Sequence, residues 1–201
     1  MVKIRAALLM ASLAPGAFGA TWTVCVEGSG ELLNTPLRGA VLREFRELMG
    51  GRGADLGFGT CVRDSRRIRL EIQDEPPDHL DGVLGLAYRR SERIEPRLKV
   101  FYGPLVRYIG DPNSTQLIGR AIARVAAHEA MHFLEQQPEH CADGLMRPEF
   151  SVWELLGSDR GPFRPAHDCK AVDSRESMQG LRSTAGRHNA QGRDRRERGA
   201  S

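Results

Sequence analysis

The stretch from residue 128 to 140, HEAMHFLEQQPEH, carries three of the chain's six histidines. His128 and His132 are four residues apart. On a helix they project from one face, a turn apart, and their imidazoles can converge on one ion. Glu129 follows the first of them and points to the side, near such an ion but not on it. That is the place for a base that takes a proton from zinc-bound water. Zinc brings the pKa of that water to about 7, so the carboxylate needs no extreme tuning. The chemistry implied is hydrolysis, with one Zn2+ per chain as the cofactor.

A catalytic zinc takes three protein ligands and keeps one position open. His140 is the nearest candidate for the third, with Pro138 stopping the helix and letting the chain fold back. Glu149 and Glu154 are the rival carboxylates, the second on a short helix within FSVWELL. Asp143 is placed either to accept a hydrogen bond from a zinc histidine or to serve as a plain turn residue before Gly144. Beyond the metal, the only candidates to stabilise an oxyanion are Tyr102 and Tyr108. His79, His167 and His188 stand alone and read as structural or exposed.

These residues need a scaffold, and the pattern around them is mixed α/β. TWTVCVE (residues 21–27) and RIRLEIQ (67–73) alternate and are rich in β-formers, so both read as strands. Residues 83–88 and 98–102 (LKVFY) read as two further short strands, with Pro76-Pro77 and Gly103-Pro104 as breaks. Residues 36–49 place Leu37, Val41, Phe45 and Leu48 on a helical stripe closed by Gly50-Gly51. A longer helix is expected from about Thr115 to Gln137, ended by Pro138, with Leu117, Ile118, Ala121, Ile122, Val125, Ala126 and Phe133 along it. The expected fold is thus α/β (α+β), a small mixed, twisted sheet packed on the long HExxH-bearing helix, with a short irregular C-terminal part. Trp22 and Trp153 read as packing residues.

HEAMHFLEQQPEH followed by CADGLMRPEF resembles the metzincin clan of zinc peptidases. It is closer to small exported bacterial proteins in which HExxH, seven residues and a histidine precede a Gly-Leu-Met-Arg segment. The resemblance reaches upstream through VLGLAY and LKVFYGPLV, over roughly residues 21–150, and is strongest at 116–150. It implies a zincin-like fold, a zinc held by His128, His132 and His140, and Met146 as the methionine of a turn beneath them. It also implies a peptide substrate held extended against an edge strand, expected at Leu98–Tyr102. Three positions depart from the usual pattern. Glu135 and Pro138 stand where a glycine and the third ligand are common, and Met131 replaces the glycine of HExGH. A thermolysin-like arrangement would instead recruit Glu149 or Glu154 as the third ligand.

The rest of the chain says where such a protein works. Lys3 and Arg5 precede the apolar run 6–14 and the small residues Gly16, Ala17, Gly19 and Ala20, which is the pattern of a signal peptide over 1–20. The product would be secreted or periplasmic, with a domain at 21–169. Export places Cys25, Cys61, Cys141 and Cys169 in an oxidising compartment. Four cysteines allow three pairings, and Cys25–Cys61 with Cys141–Cys169 is expected because each pair lies within one half of the chain. Residues 170–201, rich in Arg, Gly, Ser, Gln and Asp, have little to bury and are expected to be disordered, Arg195-Arg196 included. The net charge of +3 resides in the two ends. The central body is slightly acidic, which argues against nucleic acid as a partner. No other apolar run would span a membrane. Two functions remain open, a secreted zinc endopeptidase with Glu129 as general base, and an exported protein of the same fold that binds a partner without cutting it.

Overall fold

The computed structural model of the chain describes residues 21–27, 34–58, 66–164, 169 and 171–172. The expected signal segment, Cys61, His167, His188 and most of the Arg-rich tail lie outside the described residues. Five strands form one mixed sheet: β1 (Trp22–Glu27), β2 (Ala54–Phe58), β3 (Arg67–Gln73), β4 (Gly85–Arg90) and β5 (Arg93–Phe101). Their order is β2-β1-β3-β5-β4. All neighbours are parallel except β4, which returns antiparallel along β5. The register lays Val26, Leu70 and Leu98 in one row, and all three are buried.

Two helices cover one face of this sheet. α1 (Thr35–Met49) starts at Asn34, whose Oδ1 accepts from the Leu37 N–H at 3.0 Å, a side-chain cap for a donor that the first turn leaves free. It buries Leu37, Val41, Phe45 and Leu48, the stripe its sequence shows. α3 (Thr115–Glu135) packs beside it. A Cβ on Gly119 would come within 2.5 Å of Ala40 Cβ, so only glycine lets the two backbones approach this closely. From Ala121 to Phe133 every residue of α3 is buried. The helix is enclosed by the sheet on one side and by α1 and the C-terminal segment on the other, so its polar residues are inside as well.

Several elements differ from the sequence reading. β5 lies second from the edge, because Ser91 (φ 54) turns β4 back to cover its outer side. The edge strand on that side is therefore β4 and not Leu98–Tyr102. Tyr102–Ile109 is a helix, α2, which absorbs Gly103-Pro104 in its first turn, where a proline's missing N–H costs nothing. β2 has no counterpart in the sequence reading, since ADLGF is short and holds a glycine. α3 stops at Glu135, where Gln136 takes a left-handed conformation (φ 51, ψ 33) and its N–H caps the His132 and Phe133 carbonyls. Pro138 is not the breaker. Ala171–Val172, in the segment expected to be unstructured, forms β7 and pairs with β6 (His140–Cys141).

The C-terminal segment is anchored by one buried cation. Arg124, on α3 and fully buried, donates to Glu44 Oε1 on α1 at 2.8 Å. It also donates to the Glu154 and Asp159 carbonyls and lies 4.4 Å over the Phe163 ring. Arg160 closes the other side of the Glu44 carboxylate at 3.0 Å. Glu44→Ala leaves Arg124 buried without a counter-charge and is expected to lower stability by about 3–5 kcal/mol. Glu44→Leu combined with Arg124→Met should recover most of that loss. Urea unfolding of the three proteins checks both statements, and a single variant as stable as the parent would contradict them.

Candidate metal site

Helical spacing sets the first two histidines. Arg124, His128 and His132 follow one another at four-residue steps along α3, so they form one row. Arg124 turns toward α1, while His128 and His132 face the segment that follows the helix. His128 Nδ1 donates to the Leu145 carbonyl at 2.7 Å, and His132 Nδ1 donates to the Gln137 carbonyl at 2.6 Å. A carbonyl can only accept, so each neutral ring carries its proton on Nδ1 and a lone pair on Nε2. The two Nε2 atoms face each other at 3.1 Å. Two lone pairs at that distance repel, and a shared cation relieves them.

His140 completes the group. The chain leaves α3 at Gln136, passes Pro138 and returns through β6, which brings the His140 ring onto His128 (5.3 Å, stacked) and against His132 (4.9 Å, edge-on). The ligand atoms of the three residues all lie within 4.8 Å of one another. Tetrahedral zinc with nitrogen bonds near 2.0–2.1 Å would set its ligand atoms about 3.3 Å apart; the His128–His132 pair stands at 3.1 Å, and the three histidines together could hold a metal ion. Burial, then the neighbouring His132, pushes the pKa of His128 down to about 3 and that of His140 to about 4. Burial also lowers His132. All three imidazoles are therefore neutral at physiological pH, the form that binds metal.

Glu129 is buried beside the cluster and faces the edge strand. Burial raises its pKa to about 8, and the Ala87 N–H pulls in the opposite direction. β4 is irregular at this point, with a register shift between Ala87 and Arg89. A bulge of this kind frees a strand's backbone groups from the ladder. Gly85 lets the strand come close. A Cβ there would lie 2.5 Å from Val125 Cγ1 and 3.0 Å from Glu129 Oε1.

The other candidates fall elsewhere. Glu149 is exposed. Glu154 is occupied, pairing with Arg147 at 2.7 Å and forming a reciprocal cap with Ser151 at the start of α4 (Val152–Leu156). Asp143 is exposed, and the Leu145 and Gln137 carbonyls hold the imidazoles in its place. Tyr102 packs against the core and Tyr108 is half exposed; neither makes a ring contact with the histidines among the described residues. Met146 is buried in the turn after Gly144, next to the carbonyl that holds His128. Its own carbonyl accepts from the Cys141 N–H at 2.9 Å. Trp22 packs edge-on against Phe133 as expected, whereas Trp153 is exposed. The sequence reading missed Phe150, which lies against His128 and stacks on Phe163. A lone aromatic in a loop carries no spacing signal.

The Glu154 pair makes a pH prediction. Partial burial raises its pKa, but hydrogen bonds from Arg147 and Ser151 outweigh it and hold the carboxylate at about 2. A depressed carboxylate stabilises the fold above its unfolded pKa of 4.5, and that stability is lost as pH falls toward 2. Allowing for solvent screening, Glu154→Gln is expected to cost about 1–2 kcal/mol at pH 6 and nothing near pH 2. Urea midpoints of parent and variant across that range check the convergence.

No family model matches the chain, and no curated protein resembles it closely enough to count as a relative.

Proposed function

We propose that this protein is an exported zinc-dependent peptidase with a zincin-like fold and a metzincin-type site. His128, His132 and His140 hold the metal, and Glu129 is the general base. The observation that carries this reading is the paired arrangement of His128 and His132. Both Nδ1 protons are committed to carbonyls, the two Nε2 atoms face each other at 3.1 Å, and a ligand atom of His140 lies within 4.8 Å of them. Bound there, zinc supplies a Lewis acid that acidifies water and polarises a carbonyl.

The chain's own groups account for the remaining steps. The outer side of β4 pairs with no other strand among the described residues, so an extended peptide can add to it through main-chain hydrogen bonds. The Ala87 N–H holds the Glu129 carboxylate at this strand. A cation held by the histidines would favour the ionised form of the buried Glu129, which takes a proton from water as the water oxygen bonds to the scissile carbonyl carbon. Glu129 then returns the proton to the amide nitrogen as the C–N bond breaks. Met146 lies in the turn that carries the Leu145 carbonyl and so serves as the methionine floor.

Export is supported by the Cys141–Cys169 disulfide, since disulfides persist in oxidising compartments. Cys25 is also disulfide-bonded; its expected partner, Cys61, lies outside the described residues. Among the described residues, no helix is long and apolar enough to cross a membrane.

Glu129→Ala is expected to keep about one zinc per chain while cleavage of an extended-peptide library falls about 10²–10⁴-fold. Undiminished cleavage would remove Glu129 from the mechanism. A folded, zinc-loaded parent that cuts nothing would favour the partner-binding alternative. In the same assay His140→Ala should lose zinc at least about tenfold more readily than the parent. Glu154→Gln should bind zinc as the parent does; a loss of zinc in that variant would return the third-ligand role to the carboxylate.

A further inference from the structure

His128 and His132 are each fixed twice, by the helix that carries them and by a carbonyl at Nδ1. His140 has neither support. It lies on the two-residue strand β6, and among the described residues its imidazole makes ring contacts but no hydrogen bond. Its position therefore depends on what holds the backbone of residues 137–141.

Several contacts do so, and most of them run through or beside one disulfide. Cys141, the residue after His140, is bonded to Cys169 across 28 residues of chain. β6 pairs with β7 just beyond Cys169. The Gln137 side chain donates to Cys169 Sγ at 2.8 Å, while its carbonyl accepts from His132. A further contact, independent of the disulfide, is the Cys141 N–H to the Met146 carbonyl. The bond can also be reached from outside. Cys141 is buried but Cys169 is exposed, and both line a cavity of about 360 Å³ that extends to Met131 and Met146.

We infer that the Cys141–Cys169 disulfide is the positioning element for His140, so that the metal site is complete only when this bond is formed and loosens when a dithiol reduces it. The inference rests on the reading of the three histidines as metal ligands. A thiolate of the reductant attacks the exposed Cys169 sulfur, and the Sγ–Sγ bond breaks. Cys141 leaves as a thiolate and is protonated. The second thiol of the reductant then displaces Cys169 from the mixed disulfide, leaving two cysteine thiols and an oxidised dithiol. With the crosslink gone, β6 keeps, among the described residues, its short pairing and the Cys141 N–H bond to Met146, and the entropy of the 141–169 loop returns. In a reducing compartment the chain thus keeps an incomplete site, and oxidation after export completes it.

The test compares zinc dissociation constants, by competition with a chromophoric chelator, for the parent and for Cys141→Ala/Cys169→Ala, which leaves Cys25 untouched. The expected result is about 10- to 100-fold weaker zinc binding. At saturating zinc, the ¹⁵N imidazole signals of His128 and His132 should stay in place while that of His140 moves. Equal affinity in a folded variant overturns the inference. A second measurement needs no variant. Coupling is reciprocal, so zinc must protect Cys141–Cys169 from a glutathione couple by the same factor, read by alkylation and peptide mass at the two cysteines. Equal reduction with and without zinc, or faster reduction with it, overturns the inference even where the variant does not fold. If the oxidised parent takes up no zinc at all, the metal reading fails first and the inference falls with it.

Discussion

Arg124 is the constraint around which the rest is arranged. A guanidinium with no exposure to water is stable only when every side of it is answered. Here the answers come from three separate parts of the chain: the Glu44 carboxylate of α1, the carbonyls of Glu154 and Asp159, and the face of Phe163. Satisfying it pulls the C-terminal segment against α3. Phe163 stacks on Phe150, and Phe150 lies against His128, one turn beyond Arg124 on the same row. The Leu145 N–H bonds the Arg164 carbonyl at 3.0 Å, so the carbonyl that orients His128 is fixed by the same segment. A structural ion pair thereby sets the geometry of a site whose chemistry it does not share.

Burial of α3 from Ala121 to Phe133 shapes that chemistry. Charge is costly in such surroundings, and the three histidines respond by staying neutral. Neutral imidazoles whose Nδ1 protons are already committed are ligands without a further step. Had the rings been free to rotate, one Nε2 could have donated to the other and the pair would have satisfied itself. The two carbonyls prevent this. They convert a histidine pair that could close on itself into one that could hold a metal ion.

Much of this arrangement was legible in the sequence. The four-residue spacing of His128 and His132 and the apolar positions of α1 translate directly into faces of helices, because both depend only on local periodicity. The Cys141–Cys169 pairing followed from proximity in the chain. What escaped depended on contacts made far away. LKVFY has the composition of a strand, but whether it lies at the edge is decided by the hairpin at Ser91 that brings β4 outside it. Gly103-Pro104 looks like a break, yet the same residues are tolerated in the first turn of a helix. The occupation of Glu154 by Arg147 and Ser151 was also hidden, so a carboxylate at a plausible ligand spacing is committed to capping α4 instead.

The end of α3 shows how the chain brings the third histidine back beside the other two. The helix has no glycine at its exit, and Gln136 takes the left-handed turn instead. It holds this turn with its side chain, which donates to the Ile94 carbonyl while accepting from the Ile94 N–H, both at 3.1 Å. The exit from the helix is thus tied to β5, and Gln137 is delivered with its carbonyl under His132. Only then is the chain free to turn, and Pro138 and Glu139 bring it back at His140. The return leaves His140 on a strand of only two residues, with the Cys141–Cys169 crosslink beside it.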